Sequence, residues 1–153
     1  MLNRIEQVRE KVDRIVSAMP EEEQNAAHAH LHGVSLYCAM LARKRRENEE
    51  LALIAGLLHD VWRCATLQSQ DHAHKGAAMA REILSGLNLF TESEIAQIST
   101  AIYNHSDKLQ IHTVFDEVLK DADVLEHVFS QPLSLVQSNE QERYEKLAAE
   151  LGL

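Results

Sequence analysis

The sequence Ala55-Gly56-Leu57-Leu58-His59-Asp60-Val61-Trp62 joins the longest apolar run of the chain to its first chemical signal. The spacing of apolar residues predicts a helix from Glu49 to Leu58, which runs directly into a histidine and an aspartate. A buried carboxylate needs a hydrogen bond, a charge or a metal ion to compensate its lost hydration. A metal ion would account for both side chains. The alternative is an ordinary helix end, at which His59 caps the helix and Asp60 begins a turn.

Length and composition predict one domain over residues 1–153. A chain of this size buries roughly 70% of its unfolded surface without disulfides or a structural metal. Cys38 and Cys64 lie in apolar helical patterns and form no zinc or redox spacing, which predicts reduced thiols in the core. The apolar run is too short to cross a bilayer, and the first residues carry acids, unlike a secretory signal. We therefore expect a cytoplasmic protein that makes no membrane contact.

The charge balance and the histidine content point to different classes of ligand. A formal net charge of −9 argues against binding a nucleic acid polymer, because such binding depends on many Lys and Arg contacts to phosphate. The one basic run, residues 43–46, suits a helix end, where cations complement the helix dipole. Nine histidines are the unusual feature of the composition. Imidazole is a common ligand of transition metals, so these histidines favour a metal site.

Helical periodicity recurs along the chain and no convincing strand pattern occurs, which predicts an all-α, single-domain bundle of about six to seven helices. The non-periodic segment Arg63–Gln70 is interpreted as a loop over the site, and Gly86 is expected to end the fourth helix. The predicted helices are residues 2–18, a helix from Pro20 into the basic run, 49–58, 72–84, a helix that opens on the capping box Thr91–Glu94 and ends near Tyr103, 114–129 and about 139–151.

Four side chains on three helices, each near an apolar face, form the candidate metal site. They are His32, His59, Asp60 and Asp123. Two imidazoles and two carboxylates suit a first-row divalent ion such as Mn, Fe, Co, Ni or Zn. Two further histidines, His72 and His105, would suit a second ion bridged by Asp60, an arrangement that acts on both the attacking and leaving oxygens in phosphoryl hydrolysis.

Helical wheels leave alternatives at two of these positions. Asp121 and Asp123 point about 160° apart, so only one of them easily reaches the ion, and the wheel places Asp121 closer to the apolar face. His28 and His32 share one face of the second helix, and Val34, Leu36-Tyr37 and Met40-Leu41 form its predicted apolar face. His30 points roughly 160° away from them and is expected to face solvent.

Five blocks of the sequence occur in a familiar order, separated by helix-length gaps. They are His32 with its V/L/A-rich helix, Ala-Gly-Leu-Leu-His59-Asp60-Val, His72-Ala-His-Lys-Gly-Ala, Ala-Ile-Tyr-Asn-His105-Ser and Asp-Ala-Asp123-Val-Leu-Glu. Together they resemble the HD-domain superfamily of metal-dependent phosphohydrolases. The resemblance covers a core of about residues 27–128, flanked by the helices 2–18 and 139–151. Its frame favours Asp123 over Asp121 and His32 over His28.

The resemblance implies a helical bundle that hydrolyses a phosphate ester, usually of a nucleotide, with an ion held by His32, His59, Asp60 and Asp123. The blocks around His72 and His105 look most like small bacterial members that hold two ions, including dinucleoside-polyphosphate hydrolases. The cofactor would be one or two divalent ions (Mn, Fe, Co, Ni, Zn or Mg), and Asp60 would orient the attacking water. Either His72 or His105 would donate the leaving-group proton if it does not bind a second ion.

Four further residues are candidates for contacting the small phosphorylated substrate: Arg63, Lys75, Lys108 and His127. Arg63 ranks first, because it follows the His-Asp pair at the mouth of the predicted loop. Other functions remain open at this level, namely a catalytically silent nucleotide-binding sensor, a diiron oxygenase on the same fold, and a helical interaction module with incidental histidines. The first and last helices flank the core and are candidates for pairing with a second copy of the chain in a homodimer.

Overall fold

Eight α-helices and no strands make up residues 3–153, the part of the chain that the computed structural model describes. This architecture confirms the all-α class. Leu2, which the sequence places in the first helix, lies outside the described residues. The helices are α1 Arg4–Ser17, α2 Glu21–Arg45, α3 Glu49–Leu58, α4 Val61–Thr66, α5 His72–Leu87, α6 Glu92–Asn104, α7 Val114–Ser130 and α8 Gln141–Leu151.

Side-chain caps fix the starts of several helices. Thr91 accepts a hydrogen bond from the backbone N–H of Glu94, and the Glu94 carboxylate accepts one from Thr91 N–H, so the predicted capping box is confirmed. Asn48 caps α3 and Thr113 caps α7 in the simpler way, each through its side-chain oxygen. Each cap pairs a backbone donor that the first helical turn leaves without a partner.

Two predicted boundaries were wrong. The segment Arg63–Gln70 is not a loop throughout, because the short helix α4 occupies 61–66. Val61 and Cys64, three residues apart, are both buried and fix this turn against the core. Gly86 does not end α5 either, since the helix continues to Leu87 and closes at Asn88 in the left-handed conformation (φ 55°).

Helix α2 is the longest helix, with 25 residues, and packs along both α3 and α7. Helices α5 and α6 pack as a second pair, and α3 and α7 connect this pair to α2. Side chains from the end of α3, the start of α5, the end of α6, the middle of α7 and the first half of α2 converge at one place in this arrangement. Over residues 3–153, no helix has the length and apolar character that crossing a membrane would require.

Gly56 permits the close approach of α3 to α2. A Cβ atom at this position would lie 2.6 Å from Cα and 2.8 Å from N of Ser35. Because these are backbone atoms that cannot rotate away, we expect Gly56→Ala to lower the free energy of unfolding by about 1–3 kcal/mol or more, measured by urea denaturation.

Gly86→Ala is the matched control, because a Cβ atom there meets nothing within 4 Å. We expect this variant to raise stability by about 0.5–1 kcal/mol, since glycine is unfavourable inside a helix. Equal or greater stability of Gly56→Ala than of the wild type would contradict the packing argument.

Candidate metal centre

Four histidines from different helices direct their Nε2 atoms into one cluster. They are His30 on α2, His59 after α3, His72 at the start of α5 and His105 after α6. The Nε2 atoms of His30 and His59 are 3.1 Å apart. Those of His72 and His105 are 3.3 Å apart. The four rings thus form two facing pairs.

The other nitrogen of each ring fixes its tautomer. Each Nδ1 contacts an acceptor: His30 with Glu126 Oε2 at 2.6 Å, His59 with Gly56 O at 2.7 Å, His72 with Ser69 O at 3.0 Å, and His105 with Ile102 O at 2.6 Å. Carbonyl and carboxylate oxygens only accept, so each Nδ1–H donates, and a neutral ring then presents its Nε2 lone pair to the cluster. Two lone pairs at these short distances repel each other unless a proton or a metal ion lies between them.

Two carboxylates complete the cluster. Asp60 Oδ2 lies 3.7 Å from His30 Nε2 and 3.8 Å from His59 Nε2, and Asp123 Oδ1 lies 3.6 and 3.7 Å from the same two atoms. Asp60 Oδ1 lies 3.6 Å from Nε2 of both His72 and His105. The Asp60 carboxylate therefore turns one oxygen toward each histidine pair.

These residues fit a divalent ion by distance and by chemistry. Donor atoms that bind one ion at about 2.0–2.2 Å lie roughly 3.0–3.6 Å apart, close to the 3.1–3.8 Å observed between the donor atoms of this cluster. In addition, Asp60 Oδ1 and Asp123 Oδ1 are buried and accept no hydrogen bond. A buried acceptor without a partner costs about 1–3 kcal/mol, and a metal ion would remove that cost.

The protonation states also suit a metal site. Burial lowers the pKa of His59 to about 4, so this ring is neutral at physiological pH. Burial acts on His30 in the same direction, but the carboxylates of Asp60 and Glu126 raise its pKa to about 10. In the metal-free chain His30 therefore holds a proton next to His59, and an ion that binds there displaces this proton.

Both aspartates are ionised. Burial alone would raise the pKa of Asp60, but the imidazoles of His59, His105 and His30 hold it well below its usual range. Burial would likewise raise the pKa of Asp123, but the Lys108 ammonium and the neighbouring imidazoles hold it below its usual range. The cluster consequently offers two carboxylate charges to a cation.

The Asp123 carboxylate is held from both sides. Lys108 Nζ donates to Asp123 Oδ2 at 2.6 Å and to the His105 carbonyl at 2.8 Å. His127 Nε2 lies 3.3 Å from Asp123 Oδ1, while His127 Nδ1 lies 3.2 Å from the buried Glu140 carboxylate. Partners of this kind fix the orientation of a ligand and tune its basicity.

The structure does not bring His32, which the sequence predicted as a ligand, into the cluster. His32 lies near His28 and Asp13, and His30 takes its place, although His30 was expected to face solvent. The buried residues of α2 include Val34, Cys38 and Leu41, which lie four, eight and eleven positions after His30. Helical geometry therefore places His30 on the inward face.

The alternative Asp121 also lies outside the cluster. Its carboxylate accepts hydrogen bonds from Arg45 at 2.6 Å and from Arg143 at 2.9 Å, on the opposite side of α7 from His30. Asp123, two residues later, lies inside the cluster. Long-range partners thus account for the different positions of the two carboxylates.

Two cavities open onto the cluster, and both are lined by His30 and His127. One, of about 560 Å³, is also lined by Asp60 and Arg63 and lies between α2 and α4. The other, of about 490 Å³, lies along the end of α7 and the segment 130–140. Arg63 Nη1 donates to Asp60 Oδ2 at 2.9 Å, and nearly half of the Arg63 side chain remains exposed at the mouth of the first cavity.

The two lysines proposed to contact substrate lie elsewhere. Lys108 is buried, and its ammonium is occupied by Asp123 and the His105 carbonyl, so it is not free to bind a phosphate. Lys75 Nζ lies over the Trp62 ring, 4.6 Å from the ring centre, and lines neither cavity. Of the four candidates, Arg63 and His127 face the cavities.

The sequence patterns did not indicate His30 as a ligand candidate, nor the carboxylates of Glu126 and Glu140 as its neighbours and those of His127. For Glu126, the one related feature of the sequence is the glycine inside α2, Gly33. A Cβ atom at Gly33 would lie 2.9 Å from Glu126 Cγ, so the glycine leaves room for this side chain. No local pattern points to Glu140, which comes from the residue preceding α8 and reaches His127 only in the folded chain.

Helix α8 supports the cluster through Arg143. Its guanidinium donates to the Lys108 carbonyl at 2.9 Å and pairs with Glu117 and Asp121, and only 10% of its side chain is exposed. Arg143 therefore holds the segment from which Lys108 reaches Asp123. We expect Arg143→Met to weaken metal binding by about 10-fold, because supporting residues around metal ligands have effects of this order. Competition with a metal-chelating dye would measure the affinity.

The matched control for Arg143 is Lys146→Met on the same helix. Lys146 is 70% exposed and, among residues 3–153, pairs only with Glu142 one turn earlier, so its replacement should leave metal affinity unchanged. Equal affinities of the wild type and Arg143→Met would mean that α8 does not position the cluster.

Comparison with known proteins agrees with this geometry. The protein-family model of the HD domain matches residues 28–127 of this chain, and this segment contains all six residues of the cluster. Among solved structures, the chain resembles a predicted HD superfamily hydrolase from an uncultured Thermotogales bacterium. The two are 25% identical with a TM-score of 0.62, over 94% of this chain and 88% of that chain. A search of curated proteins gives no significant match.

Proposed function

The chain belongs to the HD-domain family, and from this premise we propose that it is a metal-dependent phosphohydrolase that cleaves a phosphate ester by attack of an activated water. The observation that carries the proposal is the Asp60 carboxylate, which turns one oxygen toward His30 and His59 and the other toward His72 and His105. A carboxylate shared in this way supports a centre of two ions.

Under this proposal one ion is held by His30, His59, Asp60 and Asp123, and the second by His72, His105 and Asp60. Ligands of this mixed kind suit Mn, Fe, Co, Ni or Zn, and Mg would require a largely oxygen site. When bound, the ions would polarise the phosphate and supply a nucleophilic water at neutral pH. Because His72 and His105 would then be ligands, neither would act as the proton donor to the leaving group.

The remaining roles follow from position. Asp60 would orient the attacking water, because its two oxygens face the two histidine pairs. Arg63 would bind a phosphate oxygen, since its guanidinium is anchored on Asp60 and still exposed to the cavity. His127, which lines both cavities, would contact the part of the substrate that spans them.

The two cavities support a nucleotide or a dinucleoside polyphosphate as substrate. Their volumes of about 560 and 490 Å³ fall in the range of small-molecule sites. They meet at His30 and His127, so a phosphate at the cluster could extend an arm into each. Apolar side chains line part of each cavity: Met19, Leu31 and Leu67 in the first, Leu135 and Val136 in the second.

The test is to load metal-free protein with each candidate ion and assay a panel of nucleoside phosphates and dinucleoside polyphosphates, with product analysis and metal counting. We expect hydrolysis that requires the ion, two ions in the metal centre of each chain at full activity, and loss of the activity and of these two ions in His59→Ala. Nucleotide that binds but is recovered intact with every ion would instead indicate a catalytically silent sensor. Oxygen consumption that depends on iron would indicate oxygenase chemistry.

A further inference from the structure

A second group of metal-binding side chains lies on the surface between α1 and α2. The group consists of Asp13, His28 and His32 and is called the α1–α2 cluster below. His28 and His32 are one helical turn apart, with ring centres 6.0 Å apart and planes inclined by 27°. Asp13 Oδ1 lies 3.6 Å from His28 Nδ1, and one ligating atom from each of the three residues lies within 4.8 Å of the others.

The α1–α2 cluster is separate from the metal centre. His30, the residue of α2 that enters the centre, projects from another face of the helix. In the part of the chain that the structure describes, the His32 ring makes no hydrogen bond, and the contact between His28 and Asp13 is longer than one. These side chains therefore have free ligating atoms.

We propose that the α1–α2 cluster binds a divalent transition-metal ion of the zinc class, with two imidazole ligands, one carboxylate ligand and at least one water. Histidines at i and i+4 of a helix are the spacing that places two ring nitrogens on one ion, and a carboxylate from a facing segment is a usual third ligand. The side chains of His28 and Asp13 are about one third and one half exposed, so an ion can enter and keep a water.

The bound ion would connect α1 to the core. Asp13 is on α1, which precedes the matched segment 28–127, whereas both histidines lie within it. Arg9, one turn before Asp13, sets a limit on affinity, because its positive charge acts on His32 and would repel a cation. Replacing Arg9 with an uncharged residue should therefore tighten the binding, a result that no purely structural role of these residues explains.

Equilibrium dialysis of the full chain against Zn²⁺ or Co²⁺, with metal counting, tests the proposal. We expect the wild type to hold one ion more than either Asp13→Asn or His28→Ala, and Arg9→Gln to reach the same count at a several-fold lower free metal concentration. His74→Ala is the matched control, since His74 is an exposed histidine that pairs with Asp71 at 2.7 Å outside the cluster; its count should equal that of the wild type.

Zinc should also raise the midpoint of thermal unfolding of the wild type more than that of Asp13→Asn, because an ion bound only to the native state stabilises it. Equal ion counts in the wild type, Asp13→Asn and His28→Ala would overturn the proposal. The outcome is independent of the phosphohydrolase proposal: His59→Ala disrupts the metal centre and should still bind the ion of the α1–α2 cluster.

Discussion

Asp60→Asn is expected to abolish hydrolysis, with a fall in kcat/KM of at least about 10³-fold. Replacing a residue that merely supports a metal ligand already lowers metal affinity or activity about 10–100-fold, and Asp60 is itself a proposed ligand. Asparagine keeps the shape of the side chain but removes its charge and replaces one of its oxygens with a donor. One of the two histidine pairs then loses its shared oxygen ligand. Metal counting and kcat/KM on the substrate identified by the panel would measure both effects.

Asp71→Asn is the control for this variant. Asp71 precedes α5 and pairs with the exposed His74, so its replacement removes a nearby carboxylate without touching the metal centre. It should retain the metal content and the turnover of the wild type. An Asp60→Asn protein that keeps both ions of the metal centre and turns over normally would exclude Asp60 as a bridging ligand and, with it, the mechanism proposed for this site.

The features of the site that could be predicted from sequence are those set by local rules. The His59-Asp60 pair follows an apolar helix whose burial carries both side chains inward with it. The capping box at Thr91 determines where α6 begins, and the length of α6 then brings His105 to its end. In each case a short-range pattern, read with helical geometry, determines the position of a functional group.

The choice of ligand on α2 could not be derived in the same way. Leu36 and Met40 were read as part of its buried face, which placed His32 inward, but they are 62% and 44% exposed. Exposed apolar side chains are common in folded proteins, so an apolar residue is a weak indicator of which face is buried. Residues two positions apart on a helix point to different faces. Misassigning the buried face therefore predicted that His32, and not His30, points inward.

The choice between Asp121 and Asp123 depended on residues distant in sequence. The helical wheel favoured Asp121, which is indeed buried, but it is buried against two arginines, Arg45 and Arg143. Neither arginine is close to Asp121 along the chain, so no local pattern could reveal that this carboxylate already has partners. Burial alone does not separate a carboxylate in a structural ion pair from one that is available to a metal ion.

Lys108→Met is expected to destabilise the metal-free protein by about 3–5 kcal/mol, because it leaves the Asp123 carboxylate charged and buried without its main partner. Lys108 is 8% and Asp123 is 6% exposed, and their ion pair is 2.6 Å long. A metal ion would neutralise the same carboxylate, so the loss should be smaller in metal-loaded protein. Urea denaturation with and without metal would measure the difference.

The double variant Lys108→Met with Asp123→Asn separates this explanation from a simple packing defect. Removing both charges leaves no buried ion without a partner, so the metal-free double variant should recover much of the stability that Lys108→Met loses. It should not recover metal binding, because a ligand is then absent. If single and double variants are equally unstable, and metal changes neither, the lysine acts through packing, and Asp123 does not depend on a neighbouring cation to remain charged inside the protein.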